Sequence, residues 1–479
     1  MKKISILMCF ALTGLFALQS CEDMDDQVVP VNDFIWKGLN QFYLWQENKP
    51  DLADDRFVDQ AALSAYLNNY SPGALFENLL YRTDGAGQRM DRFSVMVSDY
   101  RALENLLQGV AVSNGMEFGL VYRDAARTKY YGYVRYILPN SDASSKGLKR
   151  GDLFYAVNGT ELTPDNYSEL LYGQSTYTLN MADYNAGTAV PNGQSVTLTK
   201  TQYAENPIYV ANTYTTGSHK IGYLMYNGFY SSYDAQLNAV FAQFASEGIT
   251  DLVLDLRYNG GGSVNTASCL ASMITGQFNG QLFAHEQWNK KMQAFYEDKN
   301  PGSLNVNFPA TINTGGAINS LNLNKVYIIA TGATASASEL VINCLKPYID
   351  VTVIGTTTYG KNVASVTLYD SFDFSSKGKN PAHRYAMQPI VLKTTNKDGF
   401  GDYTEGILPD TRLAEAYGSM GILGDPGERL YSQAILMITQ SGRMAQSSPD
   451  VTETFKDSKS IRPFGKDMYI ENLPNVPLP

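Results

Sequence analysis

Three apolar runs, each ending in glycine or small hydroxyl residues, limit what this chain can fold into more than any other feature. They are "DLVLDLRYNGGG" (251–262), "VYIIATGATASASE" (326–339) and "VTVIGTTTYGKN" (351–362). Runs rich in Val, Ile and Leu with no polar alternation are the composition of strands buried on both faces. A fourth run, "IGYLMY", precedes them, and helix-forming stretches such as "SELVINCLKPYI" lie between. Strands alternating with helices predict an α/β layer with a mainly parallel sheet. Right-handed crossovers then bring the carboxyl ends of the strands to one edge, where ligands bind in such sheets.

That edge collects chemistry. Ser336 follows one strand and Lys361 follows the next, and 361 − 336 = 25 residues is room for one helix, one strand and a short turn. The spacing predicts that a hydroxyl and an amine meet. A serine hydroxyl is a weak nucleophile until a base takes its proton. A buried lysine can be that base, because burial disfavours its ammonium form. Ser336 also opens a helix, whose first amides favour developing negative charge. The "GGG" run at 260–262 adds amides that no Cβ shields. It is not a phosphate loop, since no G-K-[ST] follows it. His219, His285 and His383 stand beside no G-x-S-x-G elbow and read as ordinary histidines. Ser338 with Glu339 as a mere helix cap, and Lys361 as a solvated loop charge, are the bland alternatives; agreement among the three strand ends counts against them.

The remaining sequence divides around this core (206–440). Residues 31–105 read as helical, with apolar and aromatic residues three and four apart in "DFIWKGLNQFYLW". Residues 108–204 read as short strands, and Gly151–Asp152 and Asn158–Gly159 bracket one of them as turns. In "GDPGERLYSQAILMI" a helix is expected with Asp425 as N-cap and Pro426 at its first position. Beyond Gln440 the Ser-, Pro- and charge-rich composition of 441–479 predicts a poorly packed tail. The net charge of −10 argues against a nucleic-acid partner. Metal-ligand clusters and cofactor fingerprints are absent from the sequence, so no metal and no cofactor are expected.

At its N-terminus the chain has Lys2 and Lys3, an apolar stretch and then "LQSC". This is a secretory signal (1–20), and its end resembles the lipobox of bacterial lipoproteins, which implies cleavage before Cys21 and acylation of its thiol. The acidic "EDMDDQVVPVND" that follows reads as a solvated tether (21–30). It resembles the signal that sends lipoproteins to the surface in one group of Gram-negative bacteria. The expected location is therefore the outer membrane, on its periplasmic face or at the cell surface, with the membrane contacted through Cys21. Cys269 and Cys344 sit in apolar contexts as core thiols; a disulfide between them is open on sequence grounds.

The ordered set "FGL…ILPNSDASSKGLKRGDLFYAVNG", "LDLRYNGGG", "TASASE", "GTTTYGKN" and "EGILPD" resembles the carboxyl-terminal-processing, or tail-specific, protease family over roughly residues 90–440. The resemblance implies a crotonase-like ββα peptidase core with a PDZ-like domain inserted or preceding it, behind an N-terminal helical region. It implies Ser336 as nucleophile and Lys361 as general base. The Ala337 amide, with Gly261 or Gly262, would form the oxyanion hole. Gly119 and Leu120, with Phe118, match a PDZ carboxylate-binding loop for unfolded or C-terminal polypeptides. The family often has glutamine four residues after the lysine, orienting it; here Ser365 stands there and would have to bond the amine instead. The implied activity is an extracytoplasmic serine endopeptidase. The rivals are a peptide-binding surface lipoprotein whose site has decayed, and an esterase or amidase acting on small molecules.

Overall fold

The computed structural model describes residues 30–185, 188–440, 454–462 and 464–474. The expected signal sequence, Cys21 and all but the last residue of the expected acidic tether lie outside them.

Helices Pro30–Phe42, Gln60–Leu67, Pro72–Leu79 and Tyr100–Leu107 form the N-terminal region. The aromatic spacing of the first helix buries Phe34, Ile35, Leu39 and Phe42, and Asn32 ties it to the second through the Leu67 carbonyl (2.9 Å). The region is not purely helical: strand Val95–Val97 pairs with Ala386–Gln388 of the core. It also sends Phe93 toward the functional edge.

The second region is an antiparallel sheet containing strands Met116–Tyr122, Tyr130–Ile137, Leu153–Val157, Thr176–Asn185 and Thr188–Thr199. The turn after Leu153–Val157 has positive φ at both Asn158 (50°) and Gly159 (79°), the geometry a tight hairpin turn requires. Arg150 joins this sheet to the core, donating to Glu415 Oε1 and to the Tyr258 hydroxyl, each at 2.6 Å.

In the core, strands Ile208–Thr216, His219–Tyr226, Asp251–Asp255, Lys325–Ala330, Asp350–Gly355 and Thr411–Arg412 lie side by side in that order. The first pair is antiparallel and the rest are parallel, with Asp255 opposite Ile329 and Ala330 opposite Gly355. The carboxyl ends are therefore level, and the stretches after residues 255, 330 and 355 gather on one edge. Helices Val264–Thr275 and Ala337–Leu345 are buried on nearly every side. A second sheet contains Gly262–Ser263, Met468–Ile470, Val363–Val366, Ile390–Thr395, Leu282–Trp288 and Asn305–Asn307.

Two expectations need correction, and one point left open, the state of the two core thiols, is answered. The late helix spans Arg429–Ile438 and is capped by Glu428, which accepts from the Leu430 and Tyr431 amides; Asp425 instead closes a turn on Gly427. Glu428 wins because Arg257 grips the same carboxylate with two hydrogen bonds of 2.8 and 2.9 Å, so the cap is fixed by a buried ion pair. Cys269 and Cys344 are free, buried thiols; burial pushes the Cys269 thiol up to about 12. The expected loose tail is the largest departure. Residues 454–462 and 464–474 pack onto the second region and thread through the core, with Met468 fully buried and Tyr469 and Ile470 nearly so.

Candidate active site

Thr334 and Ala335 tie the Ser336 loop to the glycine loop. Thr334 Oγ1 donates to the Leu256 carbonyl (2.7 Å), and the Ala335 amide donates to the Asn259 carbonyl (3.0 Å). So braced, the chain turns at Ser336 with φ 68° and ψ −119°. For a residue with a Cβ this is a sparsely populated conformation, costing on the order of 1–3 kcal/mol. It sets Ser336 at the mouth of helix Ala337–Leu345, whose first amides have no carbonyl one turn back. The Ser336 side chain is fully buried, and its Oγ has no hydrogen-bond partner among the described residues.

Glu339 is the joint between the two strand ends, and sequence reasoning saw it only as a helix cap. Its carboxylate accepts from the Ser336 amide (2.7 Å), the Lys361 amide (2.9 Å), the Gly360 amide (2.7 Å) and Thr358 Oγ1 (2.5 Å). Burial raises its pKa while these donors oppose the rise. One buried acid thereby fixes the backbone on both sides of the expected pair. Its position three residues after the serine was the available signal.

Lys361 is buried at this edge, with its Nζ 4.4 Å from the centre of the Phe93 ring. Burial lowers its pKa below the usual lysine range, and the Asp467 carboxylate pushes back. Nζ donates to the Lys466 carbonyl (2.9 Å) and to Asp467 Oδ1 (3.0 Å). The amine is thus turned to the C-terminal segment, not to Ser336. Ser365 does not orient it: the Ser365 hydroxyl donates to the Met468 carbonyl at 3.3 Å. Ser365 pairs with Tyr469 of the adjacent strand, where the ladder on its other side is irregular between Ala364 and Ser365, and its short hydroxyl reaches a backbone carbonyl of that neighbour.

The oxyanion donors also sort themselves. The Gly261 amide donates to Asn259 Oδ1 (2.8 Å), inside its own loop, so Gly261 serves sterically. Its φ is +109°, and a Cβ there would lie 2.5 Å from the Ser336 Cβ and 2.4 Å from the Asp467 carbonyl oxygen. Ala337 supplies the helix-start amide beside Ser336, and Gly262 lies next along the loop in strand Gly262–Ser263. Phe118, Gly119 and Leu120 are on a strand, Met116–Tyr122, and not in a loop. That strand takes Thr454–Asp457 as an antiparallel neighbour, with Asp457 opposite Gly119 and Lys456 opposite Leu120.

The histidines serve elsewhere. His219 bonds Asp251, His285 bonds Asn305 and His383 bonds Asp370.

Against known families, residues 220–399 match the model described as peptidase family S41, and residues 30–95 match the model of the S41 N-terminal domain. The chain carries a peptidase family S41 domain. Among curated relatives, a chloroplastic C-terminal processing peptidase from Tetradesmus obliquus is 25% identical over 310 residues, covering 61% of this chain and 60% of its own length. A carboxyl-terminal-processing protease from Synechocystis sp. is 21% identical over 324 residues, 66% of each chain. The chain thus spans about three fifths to two thirds of these relatives. A crystal structure of a candidate S41 protease from Bacteroides fragilis superposes with a TM-score of 0.64 and 27% identity, covering 85% of this chain and 97% of that one. The S41 match takes in the strand ends that carry Ser336 and Lys361, both within residues 220–399.

Proposed function

We propose that this chain is a lipid-anchored, extracytoplasmic serine endopeptidase acting on unfolded or C-terminally exposed polypeptides. The observation that carries the reading is the convergence on Glu339: one buried carboxylate holds the backbone amides of both Ser336 and Lys361. In the proposed reaction Ser336 Oγ attacks a substrate carbonyl carbon and its proton passes to the neutral Lys361 amine. The Ala337 amide, with Gly262 beside it, stabilises the oxyanion. Collapse of the tetrahedral adduct breaks the peptide bond, and the leaving amine takes the proton from Lys361. Water, deprotonated by the same lysine, then hydrolyses the ester and restores Ser336.

A PDZ-like role for the β-rich second region is supported by the way its strand Met116–Tyr122 takes the chain's own Thr454–Asp457 as an added antiparallel strand, the geometry by which an extended peptide would bind. Cys21 as the lipidated residue, and an outer-membrane address, rest on the N-terminal sequence. The second reading, a peptide-binding lipoprotein without turnover, is favoured by one observation: Lys361 is paired with Asp467 and not with Ser336. Incubating the protein with casein and following fragments by mass spectrometry separates the two. Cleavage by wild type that is lost in Ser336→Ala and Lys361→Ala is the expected result. Undiminished cleavage by Ser336→Ala would end the peptidase reading.

A further inference from the structure

The C-terminal segment runs through both surfaces that a substrate would use. Strand Thr454–Asp457 adds to the edge of Met116–Tyr122. After a short helix, Ser458–Ile461, strand Met468–Ile470 enters between Gly262–Ser263 and Val363–Val366, parallel to both. One neighbour belongs to the glycine loop and the other follows Lys361, so the segment lies where a peptide must lie to reach Ser336. At the crossing the Asp467 carbonyl oxygen abuts Gly261 on the Ser336 side, as the contacts of a Cβ at Gly261 show. The cavity here is lined by Leu107, Tyr230 and Gly261 on one side and by Phe464, Gly465 and Asp467 of the segment on the other. The segment therefore forms part of the wall of the space it would otherwise leave open.

We infer that residues 454–462 and 464–470 form a built-in pseudosubstrate, which fills the peptide path from the second region to Ser336 and holds the enzyme inactive until it is displaced. This rests on the peptidase reading above. The backbone is seated like a substrate, but the side chain at the crossing disarms the base. Asp467 Oδ1 sits 3.0 Å from Lys361 Nζ, and a carboxylate there favours the ammonium form, which cannot accept the Ser336 proton.

The seat is built to hold. Asp457 is buried against Arg135 at 3.7 Å, Ser458 and Arg462 both bond Glu117, and Lys459 Nζ donates to the Asn227 carbonyl at 2.6 Å. These contacts cross from the second region to the core strands. A competing polypeptide that adds to Met116–Tyr122 would have to expel Thr454–Asp457, and would loosen the strand that blocks Ser336. The partner class this fits is an extended polypeptide that first occupies the second region.

The test compares full-length wild type with Met468→Lys and Asp457→Lys. The first puts a charge at a fully buried position in the inserted strand; the second sets like charges together at Arg135. Casein hydrolysis and backbone hydrogen exchange over residues 454–470 are both read. We expect slow exchange and slow hydrolysis in wild type, with both variants exchanging faster and hydrolysing casein about tenfold faster or more, as release of a mostly closed population requires. Should Met468→Lys fail to fold, Asp457→Lys carries the comparison. Equal hydrolysis by all three, or fast exchange across the segment in wild type, would overturn the pseudosubstrate while leaving the peptidase reading intact. Hydrolysis by none of them would overturn the peptidase reading and the pseudosubstrate with it. Wild-type chains cut between Asp467 and Met468 would show the segment to be a substrate, and would equally overturn the proposal.

Discussion

Two stretches of this chain meet at Ser336, and they are specified in different ways. The strand ends of the parallel sheet are encoded locally: long apolar runs, a helix between them, and glycine or hydroxyl residues where each run stops. The C-terminal strands, Thr454–Asp457 and Met468–Ile470, are four and three residues long, too short for any periodicity to stand out. What orders them is distant. Arg462 finds Glu117 across 345 residues of sequence, and Ser365 finds Met468 across 103. A site can thus be written in local pattern while its occupant is written in pairings that only the folded chain creates.

The largest expected effect lies on the local side. Ser336→Ala should lower peptide hydrolysis by about a thousandfold or more, since the nucleophile and its base act as a unit; steady-state assay of a fluorogenic peptide checks this. Next comes the scaffold beneath the strand ends. Arg257 is fully buried and bonds both Glu428 oxygens and Asp255. Arg257→Ala leaves those carboxylates without their cation and should cost about 3–5 kcal/mol, read by denaturant unfolding. An unchanged midpoint would break the contrast, because the core would then be as loosely specified as the tail.

Much of the core was legible for this reason. The four parallel strands and their shared edge followed from run length; the spacing was expected to bring the Ser336 hydroxyl and the Lys361 amine together, and what the structure joins, through Glu339, is their backbone amides. Glu428 as the true cap was not, because its advantage over Asp425 comes from Arg257, 171 residues away. Gly261 was expected as an amide donor, yet its amide is taken by Asn259 and its missing Cβ is what the site uses. Ser365 was matched by counting from the lysine, but pairing with the strand Met468–Ile470 gives its hydroxyl the Met468 carbonyl as partner. The 441–479 composition suggested looseness, whereas residues 454–462 and 464–474 gain their order from sheets already formed.

A smaller, pH-dependent effect concerns the sheet that receives the inserted strand. Glu286 is buried, and burial raises its carboxyl to about 7, with the Trp288 indole N–H opposing. The folded state therefore binds a proton that the unfolded state, at an ordinary carboxyl pKa, has released. Stability is fullest below about pH 4.5, falls as pH rises toward 7, and is then level. Glu286→Gln should match wild type at pH 4 and exceed it by about 3 kcal/mol at pH 8, measured by chemical denaturation at both pH values.

The smallest effect sharpens the contact between the two stretches. Asp467 raises the pKa of Lys361 against the lowering by burial. In Asp467→Asn the limb of activity that rises with pH should therefore move to lower pH, because the lysine becomes neutral sooner. A pH–rate profile beside wild type reads the shift, and coincident limbs would mean that Asp467 does not govern the base.

The most direct test of the site itself is covalent. A serine-reactive fluorophosphonate is added to wild type, Lys361→Ala and Met468→Lys, and the modified residue is found by peptide mass spectrometry. The account predicts a single adduct at Ser336, faster in Met468→Lys and lost in Lys361→Ala. An unlabelled Ser336 in every version, or labelling that ignores Lys361, would contradict it.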